Sequence, residues 1–177
     1  MEENELNIQE AFDIAYRQIK KIAHRQKLRF YSLETLNTTA IVHEAYMKLD
    51  KNENPVYKGK THFCRVAAKA IRHILINYVE QKMALKRGKG IKNEDFSQFE
   101  GMISMTHESA ERFLSLHEAL QELEHFAPRQ HQLVEARFFG GMAIEDAADL
   151  LDISPATAKR DWTLAKAWLF SRINTKN

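Results

Sequence analysis

The chain has 177 residues, 44% of them hydrophobic, enough for one or two small cores, and its scarcity of breakers (6 Gly, 3 Pro) points to a mostly helical protein. A single cysteine, Cys64, excludes an internal disulfide and suits a reducing cytoplasm; the acidic start Met1-Glu-Glu-Asn-Glu5 is wrong for a secretory signal, and no apolar run approaches the roughly 20 residues of a membrane crossing. The net charge of +2 hides an asymmetry: residues 1–95 hold 18 Lys and Arg against 12 Asp and Glu, whereas residues 96–177 hold 8 against 12, so the front half is the basic one.

Helical spacing of Ala11, Ile14, Ala15, Ile19, Ile22 and Ala23 predicts a first helix from Ile8 to Arg29, with Lys20, Lys21, Arg25 and Lys27 crowded into its second half. A second helix is expected over Thr38–Asp50, capped by Thr38 or Thr39. Its apolar residues Ile41, Val42, Ala45, Tyr46 and Leu49 exceed one narrow stripe, which fits either a protein-docking face or a helix buried on two sides; Glu44 and Lys48 are spaced as an i,i+4 pair. Residues 51–60 read as a loop, and a long third helix follows over Thr61–Arg87.

Phe63, Ala67, Ala70, Ile74 and Tyr78 form one stripe of that third helix, with Arg65, Lys69 and Arg72 nearly opposite and Asn77 further along. Ahead of it stand Tyr57, Lys58, Lys60 and His62. Cations attract phosphates and aromatic faces stack unstacked bases, a combination suited to single-stranded or melting DNA. Taken alone, Tyr57 and Phe63 fit a core better. Residues 88–110 lose periodicity among Gly88, Gly90, Asn93, Asp95, Ser97, Gly101 and Ser104 and read as a flexible linker, with Phe96, Phe99, Met102 and Met105 as scattered docking residues.

Helical pattern returns over Glu111–Phe126, and Pro128 opens a further helix to Phe139, ended by Gly140 and Gly141. Ile144, Ala148 and Leu151 then mark a short helix with Glu145 and Asp146 in its first turn. Asp152-Ile153 makes a turn, and Ser154-Pro155 is the favoured order of N-cap and first helical residue. In the helix that follows, Ala158, Trp162, Ala165 and Leu169 share one side, and Ala156, Lys159, Arg160 and Thr163 the other. This is a helix–turn–helix: the N-terminal residues of its second helix reach base edges in the major groove. Lys159 and Arg160 suit phosphates or guanine, Thr157 and Thr163 either role, and Ala156 a close approach. With the basic front half, two separate contacts with a polyanion are expected. The plain alternative is a packed helix pair with a solvated charged face.

Taken together, Thr39-Ala-Ile-Val-His-Glu-Ala-Tyr46, the run from His62 to Leu75, Arg129-Gln130 after Pro128, Glu135-Ala-Arg-Phe-Phe-Gly-Gly141 and Ser154-Pro-Ala-Thr-Ala-Lys-Arg-Asp-Trp162 give the chain a resemblance. It resembles the bacterial extracytoplasmic-function (ECF) sigma factors over nearly its whole length, excluding the linker and both tips. That resemblance implies an all-α fold of two small helical domains, residues 1–87 and 111–177, joined by the linker. It also implies a protein that binds core RNA polymerase and directs it to promoter DNA, with no catalysis, cofactor or metal of its own and no membrane contact. An anti-sigma factor is a further candidate partner. By the same resemblance, Ile41, Val42, Glu44, Ala45 and Lys48 grip the polymerase. The loop with Tyr57, Lys58, Lys60 and His62 captures a flipped base of the −10 element. Arg65, Lys69, Arg72 and Asn77 line that DNA. Ser154, Ala156, Thr157, Lys159, Arg160 and Thr163 read the −35 element.

Two other classes compete. A stand-alone helix–turn–helix regulator with a sensing or dimerising front half would need no polymerase to find its site. A helical enzyme or metalloprotein is suggested by the 8 histidines, but His43-Glu44 lacks the second His of a zinc-protease helix, and His117, His125 and His131 lack partners at diagnostic spacing.

Overall fold

A computed structural model describes residues 5–31, 37–51, 56–86 and 107–175. In chain order it contains β1 (Glu5–Leu6), α1 (Ile8–Tyr31), α2 (Thr38–Asp50), β2 (Tyr57–Lys58), α3 (Gly59–Lys86), α4 (His107–Phe126), α5 (Pro128–Val134), a π-helical turn (Glu135–Phe139), α6 (Ile144–Leu150) and α7 (Pro155–Thr175). The fold is all-α, as expected. The residues expected to form the linker lie largely outside the described set, including Phe96, Phe99, Met102 and Met105.

Local chemistry sets the helix starts. Asn7 and Glu10 cap α1 reciprocally: the Glu10 backbone N–H donates to Asn7 Oδ1 at 3.0 Å, and the Asn7 N–H to Glu10 Oε2 at 3.0 Å. The α2 cap is Asn37, one residue before the threonines expected there, and its Oδ1 accepts from the Thr39 N–H at 2.9 Å. Two short strands were not expected. Glu5 pairs with Lys58 and Leu6 with Tyr57, antiparallel; two residues are too few to show alternation in sequence.

The stop signals behave as their chemistry requires. The π-helical turn closes with the Gly140 N–H donating to the Glu135 carbonyl at 2.8 Å, and Gly141 ends it at a φ of 69°. Asp152 takes the left-handed conformation at a φ of 52°, with its own N–H on the Asp149 carbonyl at 3.2 Å and the Ile153 N–H on the Ala148 carbonyl at 3.0 Å. This is the Schellman pattern with Asp in place of Gly.

Helices α1 and α2 pack on α3, and α4 with the π-helical turn packs on α3 from another side. One core therefore runs through both halves, from Ile19, Ile22, Phe63 and Ile71 to Leu120, Leu123, Val134 and Phe139. A smaller cluster of Leu133, Ala136, Ile144, Ala147, Ala148 and Ala158 sits beneath the helix–turn–helix.

Candidate nucleic-acid interface

The second helix of the helix–turn–helix is α7. Ser154 Oγ accepts from the Thr157 backbone N–H at 3.1 Å and lies 2.9 Å from Thr157 Oγ1, so the first turn is capped from its own side chain. Ala158, Asp161, Ala165 and Leu169 are buried, which orients the rest of the helix. Ala156, Lys159, Arg160 and Thr163 are exposed on the outer side, and Thr157 is half-buried. Thr163 Oγ1 donates to the Lys159 carbonyl at 3.0 Å. Among the described residues, neither Lys159 nor Arg160 meets a carboxylate. Two cations thus stand uncompensated near the positive end of a helix dipole, a local field that draws phosphate.

Behind this face the helix is fastened by polar contacts. Arg129 Nε donates to Asp161 Oδ2 at 2.7 Å. Two cations lie over the Trp162 ring, the Arg137 guanidinium 4.9 Å and Lys166 Nζ 5.5 Å from its centroid. Ala158 is fully buried in the smaller cluster, so its small size is a packing requirement.

The front-half candidates are placed very differently. On α2, Ile41, Val42 and Ala45 are each 1% exposed and belong to the core, so they cannot carry the protein-docking face expected of them. The alternative reading, a helix buried on two sides, describes them correctly. His43, Met47 and Lys48 of α2 point outward, with Glu44 half-buried. Tyr57 is also core: its ring meets Phe63 edge-on at 4.6 Å between centroids and tilts against His62 at 6.1 Å. Burial raises its phenol pKa. A ring packed this way is unavailable to stack on a base. Lys60 and His62 lie on the first turn of α3 rather than in a loop, and the Lys58 N–H donates to His62 Nδ1 at 3.2 Å. Lys58, Lys60 and Asn77 are exposed.

Three further cations of α3, Arg65, Lys69 and Arg72, face the rear half of the chain. Arg72 is 2% exposed; one guanidinium nitrogen donates to Glu135 Oε1 and another lies 2.8 Å from His117 Nδ1. Its guanidinium also sits over the Phe139 ring, 5.1 Å from the centroid. Lys69 Nζ donates to Glu124 Oε1 at 3.0 Å. Arg65 is half-buried and desolvation lowers its pKa, with Glu135 opposing. As folded here, Arg72 cannot line DNA, and Lys69 is already paired.

Glu135 is the buried partner of Arg72 that sequence reasoning did not pair with it. Burial pushes its carboxyl up, but the neighbouring His131 ring and the charge of Arg72 outweigh that and hold it below the usual range. His131 Nε2 lies 3.3 Å from Glu135 Oε1. The i,i+4 spacing of His131 and Glu135 was the available signal. Gln26, also buried, donates from Nε2 to the carbonyls of Ala68 at 3.1 Å and Phe139 at 3.4 Å.

Among the described residues, no group of His, Cys, Asp and Glu could hold a metal ion, and no helix is long and apolar enough to cross a membrane. No curated protein and no solved structure matches the chain. A family model described as ECF sigma factor matches residues 4–175, nearly the whole length. The chain therefore belongs to the ECF sigma factor family, and its role is that of a sigma factor in transcription initiation.

Proposed function

We propose that this sigma factor binds core RNA polymerase and brings it to promoters by two contacts. The rear unit takes the −35 element in the major groove with Ala156, Thr157, Lys159, Arg160 and Thr163, and Ser154 holds the helix start. The front unit takes the −10 element, with Lys58, Lys60, His62 and Asn77 as its accessible polar residues and Arg65, Lys69 and Arg72 joining them once uncovered. The polymerase-docking face of α2 comprises His43, Glu44, Met47 and Lys48, since Ile41, Val42 and Ala45 point inward.

The observation that carries this reading is the outer face of α7. It combines a capped N-terminus, a small residue at Ala156 and two cations that meet no carboxylate among the described residues, the set a major-groove helix needs. Reconstituted transcription tests it. Purified chain added to bacterial core polymerase, on a pool of promoter fragments from its host, is expected to start RNA chains from a discrete subset. Polymerase that neither co-migrates with the chain nor starts any transcript in its presence would refute the reading. DNA binding with equal site selection in the absence of polymerase would favour a stand-alone regulator.

A further inference from the structure

We propose that Asp161, a buried carboxylate beneath the reading helix, aims Arg129 at the phosphate backbone bordering the −35 groove, so that a negative charge under α7 strengthens its hold on DNA. This rests on the promoter-binding reading above and adds to it a phosphate contact and the residue that positions it. Arg129 is the second residue of α5, directly after Pro128. A cation in the first turn opposes the helix dipole, so α5 itself gains nothing from it. The Arg129 side chain is 56% exposed and that of Asp161 6% exposed. Arg129 Nε donates to Asp161 Oδ2 at 2.7 Å, and among the described residues the rest of the guanidinium makes no hydrogen bond. The planar fork cannot turn without breaking that bond, so its outer donors are held in one plane, ready for phosphate oxygens.

The place of this pair on α7 gives it a use. At about 100° per residue, Asp161 lies about 60° to one side of Ala158 and Trp162 about 40° to the other. Ala158 faces the core, so the two residues mark opposite edges of the buried side. One edge carries Arg129. The other carries the Arg137 guanidinium and Lys166 Nζ, both over the Trp162 ring. The reading face with Lys159 and Arg160 is thus bordered on both sides by cations that the protein itself holds in place. A helix in the major groove is bordered in the same way by two phosphate backbones, and contacts to these set its register. A cation fixed before binding loses less side-chain freedom than a loose one, which favours the complex.

The test uses the chain assembled with core polymerase, on a promoter fragment that it transcribes and on a random-sequence duplex of equal length. Arg129→Gln is expected to weaken binding to both by about tenfold, the effect of one charge-assisted hydrogen bond. It is also expected to make the slope of log affinity against log salt shallower by about 0.9, the share of one phosphate. Asp161→Asn removes a negative charge, which by bulk electrostatics alone would tighten binding. Weaker binding and the same shallower slope are expected instead. Arg129→Gln with Asp161→Asn leaves no buried charge unpaired and covers the case in which Arg129→Gln fails to fold. It is expected to lose no more than Arg129→Gln alone, because Asp161 acts through Arg129. Tighter binding by Asp161→Asn would overturn the proposal. So would a double variant that melts at a lower temperature with its salt slope unmoved, since the pair would then only tie α5 to α7. If Arg160→Ala loses base discrimination in that case, the phosphate contact alone is lost; if neither change alters DNA binding, the −35 assignment of α7 fails as well.

Discussion

Arg160 and Lys159 are neighbours in sequence, but consecutive residues on a helix point about 100° apart, so one can meet a base edge while the other meets the backbone. The residues around them fix which way both point. Ala158 is fully buried and Asp161 is 4% exposed and held by Arg129, so α7 has one rotation about its axis rather than a choice. If Arg160 reads a base, Arg160→Ala is expected to cost about 1–3 kcal/mol of discrimination at a single promoter position. Competition binding over a panel of single-base −35 variants measures this. Equal weakening on every variant would assign the guanidinium to phosphate instead. Much of this face was legible in the sequence because its signals are local: Ser154-Pro155 fixes the start, and the spacing of Ala158, Ala165 and Leu169 fixes the buried side. Arg72 shows the opposite case. Its sequence neighbours place it on a basic stripe, while its partner Glu135 is 63 residues away, and no local pattern announces such a pairing.

At the level of the helix, the misreading of α3 has a physical origin. Phe63, Ala67, Ala70, Ile74 and Tyr78 make one stripe at helical spacing, yet Ala68, Ile71, Leu75, Ile76 and Val79 are buried too. A helix apolar around most of its circumference is covered from several sides, and α3 is covered by α1 and α2 and by α4 with the π-helical turn. The same arithmetic applies to α2, whose surplus of apolar residues meant two-sided burial. The packing of α4 on α3 also brings His73 and His117 together, with ring centroids 5.9 Å apart. Burial lowers the His73 pKa from 6.5 to about 4, and Arg72, Lys48 and His117 push the same way against Glu135. His117 is lowered as well, first by burial and then by Arg72. Between pH 6.5 and about 4 the unfolded chain takes up a proton on His73 that the folded chain refuses, so stability must fall as pH falls through that window. Below it the two states are equally protonated at this residue and its contribution stops changing. Denaturant midpoints measured from pH 7 down to pH 4 are expected to decline, and His73→Gln to flatten the slope. A wild-type midpoint level across the range would show that His73 ionises freely in the fold.

For the whole molecule, the question is how the front and rear halves, for which separate targets are proposed, can share one core. Composition suggests a division at residues 88–110, but the contact between the helices on either side was not legible, because it depends on which faces meet in space. Phe139 is where the sharing is most direct. It is 2% exposed, its ring lies under Arg72 of α3, and its carbonyl accepts from Gln26 of α1. Its own backbone belongs to the π-helical turn, whose extra residue per turn displaces the side chain relative to a regular α5. Phe139→Ala would leave a void between the halves and remove the apolar force that holds them together, while the helix–turn–helix keeps its own cluster around Leu133, Ala136, Ile144 and Ala158. Truncation of a buried Phe costs about 3–5 kcal/mol. That loss is expected to fall on the association of the two halves, so thermal unfolding of the variant should separate into two transitions where the wild-type curve shows fewer. Calorimetry of both chains measures this. A variant that still melts in one step, lowered by only a few tenths of a kcal/mol, would show that Phe139 joins nothing across the linker and that the front and rear units are held together elsewhere.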